Sequence, residues 1–156
     1  MQERLDLRTA APDAIKALLA VSEYARTSGL EKSLVNLVLM RASQINGCAN
    51  CLHMHSEEAR AAGETEARLH LLDAWHESML YSPRERAALC WTDSLTRVAE
   101  THAPDAVYDE AHRHFSEEEL VKLTLLICVI NSWNRICIGF RVVNPSDRAN
   151  AHAEAA

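Results

Sequence analysis

Apolar positions along this chain recur at intervals of three and four, and nowhere do they alternate with period two, which predicts helices throughout and no sheet. Residues 5–11 read as a strap or loop. Pro12 suits the first position of a helix, with Ile15, Leu18, Leu19 and Ser22 on one face and Thr27-Ser28-Gly29 as its end. From about Glu31, the run Leu34, Val35, Leu37, Val38, Leu39, Met40 is apolar nearly all round and needs cover on more than one side. Asn46-Gly47 breaks that helix and restarts it with Cys48 in the first turn of a new segment. The new helix runs to Gly63, a residue suited to the position just past a helix end.

A short helix with Leu69, Leu72 and Trp75 inward comes next. Ser82-Pro83-Arg84-Glu85 is a start signal, with Ser capping, Pro in the first turn and Glu reaching back. Its helix carries Ala88, Leu89, Trp91, Leu95 and Val98 to about residue 100. Pro104 opens a short helix ending near His114. Ser116-Glu117-Glu118-Glu119 is a second capping box, stapled by Phe115 and Leu120, and the helix beyond runs to about Phe140, apolar on most faces. Glu117–Glu119 then read as a solvated first turn that complements the helix dipole. Residues 144–156 read as a frayed tail. The pattern predicts an all-α, single-domain fold over residues 1–143, with no repeat or linker to divide it.

Composition narrows the function classes. The 156 residues fit one domain, and 48% hydrophobic residues supply a core without disulfide staples. A net charge of −6 and a pI of 5.7 argue against nucleic acid or an anionic membrane surface as partner, since both call for a basic face. No uninterrupted stretch reaches the roughly 18 apolar residues of a membrane span, and the first residues lack the apolar segment of a signal peptide. Five cysteines form no secreted framework. A cytoplasmic, reduced, redox-active protein is expected. Two helices apolar nearly all round in so short a chain also predict a homo-oligomer.

The candidate chemistry lies in Cys48-Ala49-Asn50-Cys51-Leu52-His53-Met54-His55. On a helix, Cys48, Cys51 and His55 share one face. The free N–H groups of a helix start favour thiolate over thiol, and His55 adds a proton acceptor. Haem attachment would want histidine directly after the second cysteine, where Leu52 stands. Zinc wants four ligands, and Cys48, Cys51 and one of His53 or His55 make three. A redox dithiol is the favoured reading, with zinc and chance spacing as minor alternatives, so no metal and no cofactor are expected. A cysteine of pKa ~8.5 is only about 3% thiolate at pH 7, and one of ~6.5 about 75%. The loss of nucleophilicity that accompanies a lower pKa leaves a net gain of roughly two- to threefold. Peroxide cleavage therefore also needs a proton for the departing alkoxide, and His55 is the natural donor. By helical phase His55 lies nearer Cys51, which makes Cys51 the expected attacker and Cys48 the resolving thiol.

Other residues carry plainer readings. His53 points away from the cysteine face. Cys90, Cys128 and Cys137 read as small buried hydrophobes, Trp75, Trp91 and Trp133 as core or interface anchors, and His70, His76, His102, His112 and His114 as surface. Asn131, Asn134 and Arg135 interrupt the most apolar helix and need partners, either neighbouring backbone or another subunit.

The stretch Arg41-Ala42-Ser43-Gln44-Ile45-Asn46-Gly47-Cys48-Ala49-Asn50-Cys51-Leu52-His53-Met54-His55 resembles the core motif of the alkylhydroperoxidase D-like proteins of the carboxymuconolactone decarboxylase superfamily. The likeness continues through Glu58–Glu66, Ala74-Trp75, Arg84–Leu89 and Asn131–Arg135, and so covers most of residues 30–141. The classical decarboxylase branch lacks the two cysteines, which places the chain with the peroxidase-like branch. The resemblance implies a helical fold in homotrimers or homohexamers. It also implies peroxide reduction by the dithiol without metal or flavin, and an external dithiol reductant such as a lipoyl or thioredoxin-like protein. Cys48 and Cys51 match the reactive pair and His55 the proton-relay histidine. The family's relay glutamate, twelve residues before the first cysteine, falls on Asn36, which is expected beside His55. Glu85 and Asp93 are candidates to replace it. An amide cannot move protons at neutral pH, so a redox-sensing or partner-binding protein with little turnover is the alternative.

Overall fold

The computed structural model describes residues 2–147. Its helices are α1 (Leu7–Ala10), α2 (Pro12–Arg26), α3 (Lys32–Asn46), α4 (Ala49–Ala61), α5 (Glu66–Leu71), α6 (Pro83–Thr96), α7 (Val98–Thr101), α8 (Asp105–His114) and α9 (Glu117–Phe140), with a 3-10 turn at Leu72–Glu77. No strand occurs among the described residues. The protein is all-α, as the periodicity predicts.

Local chemistry explains the boundaries. The capping boxes at Ser82 and Ser116 are both formed. Gly47 closes α3 in the left-handed conformation (φ 68°), and the Cys48 N–H returns to the Ser43 carbonyl at 3.0 Å. Three expectations need correction. Residues 5–11 include a helical turn, because the Asp6 carboxylate accepts the N–H groups of Arg8 and Thr9 and so caps α1. The helix expected to reach residue 100 is interrupted at Arg97 (φ −104°, ψ 34°). In the tail, Asn144 is buried and exchanges hydrogen bonds with Asp147 at 2.8 and 3.0 Å, so residues 144–147 form a capped turn. Residues 148–156 of the expected frayed tail lie outside the described residues.

The core is built around α3, which packs against α4, α6 and α9 and buries every residue from Leu34 to Ser43. Leu34, Val35, Val38 and Ala42 meet Leu123, Leu126, Ile127 and Ile130 of α9 together with Trp91. Leu37 and Met40 face the other way, onto Leu72, Trp75 and Leu89. The cover that α3 needs thus comes from its own chain, not from a second subunit. Unlike α3, α9 leaves apolar side chains outside, among them Val121 and Ile138. By length and composition α9 could cross a membrane, but here it is a core helix packed against α2, α3 and α6.

The polar residues of α9 find their partners inside the chain. Asn134, fully buried, donates to Ser43 Oγ at 3.1 Å and accepts from Asn46 Nδ2 at 2.9 Å. Asn46 Nδ2 also reaches Asn131 Oδ1 at 3.0 Å, while Asn131 donates to Thr96 Oγ1 and to the Ile127 carbonyl. Trp133 Nε1 donates to Ser22 Oγ at 2.7 Å. The bonds of Ser43 and Asn46 pin the last turn of α3 to α9, and that of Trp133 ties α2 to it. The N-terminal strap is tied to the same helix: the Arg4 N–H donates to the Phe140 carbonyl at 3.0 Å and its guanidinium to that of Gly139.

Asn134→Ala removes one buried hydrogen bond from each of Ser43 and Asn46, and urea unfolding at fixed protein concentration should show a loss of about 1–3 kcal/mol. Combined with Asn46→Ala, the loss should fall short of the sum of the two single effects, since they remove the same bond.

Candidate active site

The break between α3 and α4 delivers the dithiol. Cys48 is the N-cap of α4, and the Cys51 N–H points at its sulfur at 3.4 Å. Both cysteines are about 1% exposed and are joined as a disulfide. One turn further along α4, His55 is buried, and its Nδ1 lies 2.9 Å from Glu58 Oε2. Arg26 of α2 reaches the same carboxylate oxygen at 2.9 Å. The hydrogen bond from His55 and then the Arg26 pair hold the Glu58 carboxyl at about 2, against the opposing effect of partial burial. Glu58 is therefore an anion at neutral pH, and its carboxylate holds the imidazole at Nδ1.

Cys51, His55, Glu58 and Arg26 wall a cavity of about 720 Å³. Leu39, Leu126, Val129, Ile130 and Trp133 make the rest of its interior largely apolar, and the strap around Asp6 and Leu7 closes one side. Cys48 does not line it, so of the two disulfide sulfurs the one on the cavity side is that of Cys51, with Cys137 of α9 also on the wall.

Asn36 is not brought to this site. It is buried on α3 but lines a separate cleft with Ser33, Gly63, Glu64, Arg68 and Glu85, which shares no wall with the Cys51 cavity. Its Nδ2 has no hydrogen-bond partner among the described residues. Neither substitute acid reaches His55 either: Glu85 pairs with Arg68 at 2.6 Å, and Asp93 grips the buried Arg41 guanidinium at 2.6 and 2.9 Å. The carboxylate on the histidine is Glu58. Its signal was local, an acid three residues after His55 on the same helix.

The remaining cysteines divide three ways. Cys128 is exposed and Cys90 half-buried, against the expectation that both are core residues. Cys137 of α9 is buried as expected, but its sulfur lies with those of Cys48 and Cys51, all within 4.8 Å of one another. Among the described residues this is the cluster whose ligand atoms could meet on one metal ion. Asn50 Nδ2 approaches the Cys137 sulfur at 3.7 Å. Burial pushes the Cys137 thiol above its ordinary value, with the Asn50 contact opposing.

Residues 12–94 match the model of the carboxymuconolactone decarboxylase family. The chain is 40% identical over 138 residues to the uncharacterized protein YdfG of Bacillus subtilis (strain 168), spanning 88% of this chain and 94% of that protein. It superimposes with a TM-score of 0.90 and 45% identity on a protein of unknown function from Agrobacterium tumefaciens, named as an antioxidant defence protein of the AhpD type, covering 92% of this chain and 99% of that one. More distantly, the debrominase Bmp8, in complex with 2,3,4-tribromopyrrole, shares the fold at 19% identity and a TM-score of 0.76, over 93% of this chain and 78% of its own. The helical fold, the cysteine pair at the head of α4 and these likenesses agree: the chain belongs to the carboxymuconolactone decarboxylase family, among its AhpD-like members.

Proposed function

We propose that the protein is a dithiol peroxidase that reduces organic hydroperoxides. The observation that carries this reading is the junction of a redox cysteine pair with a buried His55–Glu58 couple at the wall of an apolar cavity. In the proposed cycle His55 takes the Cys51 proton, and the Glu58 carboxylate stabilises the imidazolium so formed. The Cys51 thiolate attacks the terminal peroxide oxygen, the O–O bond breaks, and His55 returns its proton to the departing alkoxide as the alcohol leaves. Cys51 is now a sulfenic acid. The Cys48 thiol condenses with it, water departs, and the disulfide forms. An external dithiol, on a lipoyl or thioredoxin-like protein, restores the pair by exchange.

The apolar walls favour a peroxide with a hydrocarbon portion over hydrogen peroxide, because burying apolar surface contributes about 25 cal/mol per Å². The sensor alternative rested on Asn36. With Glu58 on the histidine, that motive falls away. A reducing compartment such as the cytoplasm suits the free thiols. Self-association into trimers or hexamers would use the exposed apolar residues of α2 and α9, among them Tyr24 and Val121.

Three outcomes test this reading. Cys51→Ser should abolish consumption of cumene hydroperoxide, whereas reduced Cys48→Ser should still consume its first equivalent; a stoichiometric burst from Cys51→Ser would reverse the roles. In steady state with dihydrolipoamide, His55→Asn should lower kcat/KM by about a hundredfold and Glu58→Gln by about tenfold. Turnover no faster than that of a free dithiol would remove the peroxidase reading. The third outcome is acid stability. A carboxyl whose pKa drops on folding from 4.5 to about 2 contributes stability above pH 4.5 that is lost as pH falls through 2. The melting-temperature gap between the native protein and Glu58→Gln should therefore hold steady from neutral pH down to about 5 and close below it.

A further inference from the structure

We propose that Cys137 is a third redox sulfur of this site, able to take the place of Cys48 as the disulfide partner of Cys51. A lone buried cysteine is ordinarily a small hydrophobe. What sets Cys137 apart is its company. Its sulfur is within 4.8 Å of both members of the pair, and closing that gap to a disulfide needs less than about 3 Å of sulfur movement, within reach of side-chain rotation. Trp133 and Val142 pack against the three sulfurs and keep them together. Cys51 and Cys137 both wall the cavity, whereas Cys48 stands behind it. An oxygen placed on the Cys51 sulfur from the cavity side therefore faces Cys137.

Two balanced steps lead to the alternative bond. In the first, the Cys137 thiol condenses with a Cys51 sulfenic acid: the S–O bond breaks, the hydroxyl leaves with the thiol proton as water, and the Cys51–Cys137 bond forms. This route rests on the peroxidase reading above. In the second, the Cys137 thiolate attacks the Cys51 sulfur of the existing disulfide and frees the Cys48 thiolate, with no net oxidation. Burial keeps Cys137 protonated at neutral pH, so the second route quickens as pH rises. A spare resolving thiol shortens the life of the Cys51 sulfenate whenever Cys48 is engaged elsewhere, and so guards it from irreversible oxidation.

The test uses the full-length Cys48→Ser protein, reduced and then treated separately with one equivalent of cumene hydroperoxide or of diamide. Diamide is a two-electron oxidant that joins thiols without peroxide chemistry. A non-reducing peptide map should show Cys51 linked to Cys137 within one chain under both oxidants. Dimedone labelling of Cys51 after peroxide should be severalfold higher in Cys48→Ser/Cys137→Ser. Equal labelling in the two variants, with no Cys51–Cys137 peptide, overturns the proposal while leaving the peroxidase reading intact. A link formed with diamide alone sustains the proposal and counts against the peroxidase. Oxidised native protein gives a check free of substitutions: held at pH 7 and pH 9, then acid-quenched and mapped, it should contain more Cys51–Cys137 peptide at the higher pH. Absence of that peptide at both values refutes exchange.

Discussion

Everything at this site hangs on the amide network that ties the end of α3 to the middle of α9. Asn134 spends both ends of its side chain on α3, one on Ser43 and one on Asn46. Asn46 is the last residue before the left-handed glycine that redirects the chain into α4. A hydrophobic contact at this spot would tolerate sliding, whereas hydrogen bonds between buried amides fix distance and direction together. The position of Cys48 two residues later, and the crossing of α4 over α9 that brings Cys137 to it, both inherit that fixation.

Arg41 supplies a second fixed point on the same helix. Its guanidinium takes Asp93 of α6 with two nitrogens and Asp73 with a third. Arginine suits such a place because its planar fork meets a carboxylate in one orientation. Between Arg41 and Asn46, α3 is held by polar bonds on one stretch and by close apolar packing along the rest. Rigid support of this kind is what a pair of reactive sulfurs needs from a helical scaffold.

How much of this could be read from the residues differs by feature, and the division is physical. Helix starts at Ser82 and Ser116 were legible because capping boxes are local, and so were the restart after Gly47 and the cysteine–histidine face of α4. The turn at Leu7–Ala10 escaped because its signal is a single Asp6 carboxylate with no apolar periodicity behind it. Glu58 is equally local, one turn from His55, but the twelve-residue spacing of the family's relay glutamate points to Asn36. That spacing led to a cleft bounded by Arg68 and Glu85 instead. Cys137 could not be read at all: eighty-six positions separate it from Cys51, and only the crossing of two helices joins them. Asn131 and Asn134 stood between these cases. Their need for partners was plain from the apolar run around them, but the partners on α3 and α6 were not.

The two sulfurs of the disulfide are not equivalent, and the reason is where Cys48 sits. As the cap of α4, its sulfur is aimed at by the Cys51 amide and by the positive end of the helix. Charge arriving on that sulfur is met by a waiting donor, which makes Cys48 the better leaving group of the pair. An incoming thiolate from the cavity reaches Cys51 first and, on attacking it, pushes electrons toward the helix start that stabilises them. Geometry of approach and electronic preference thus favour the same cleavage.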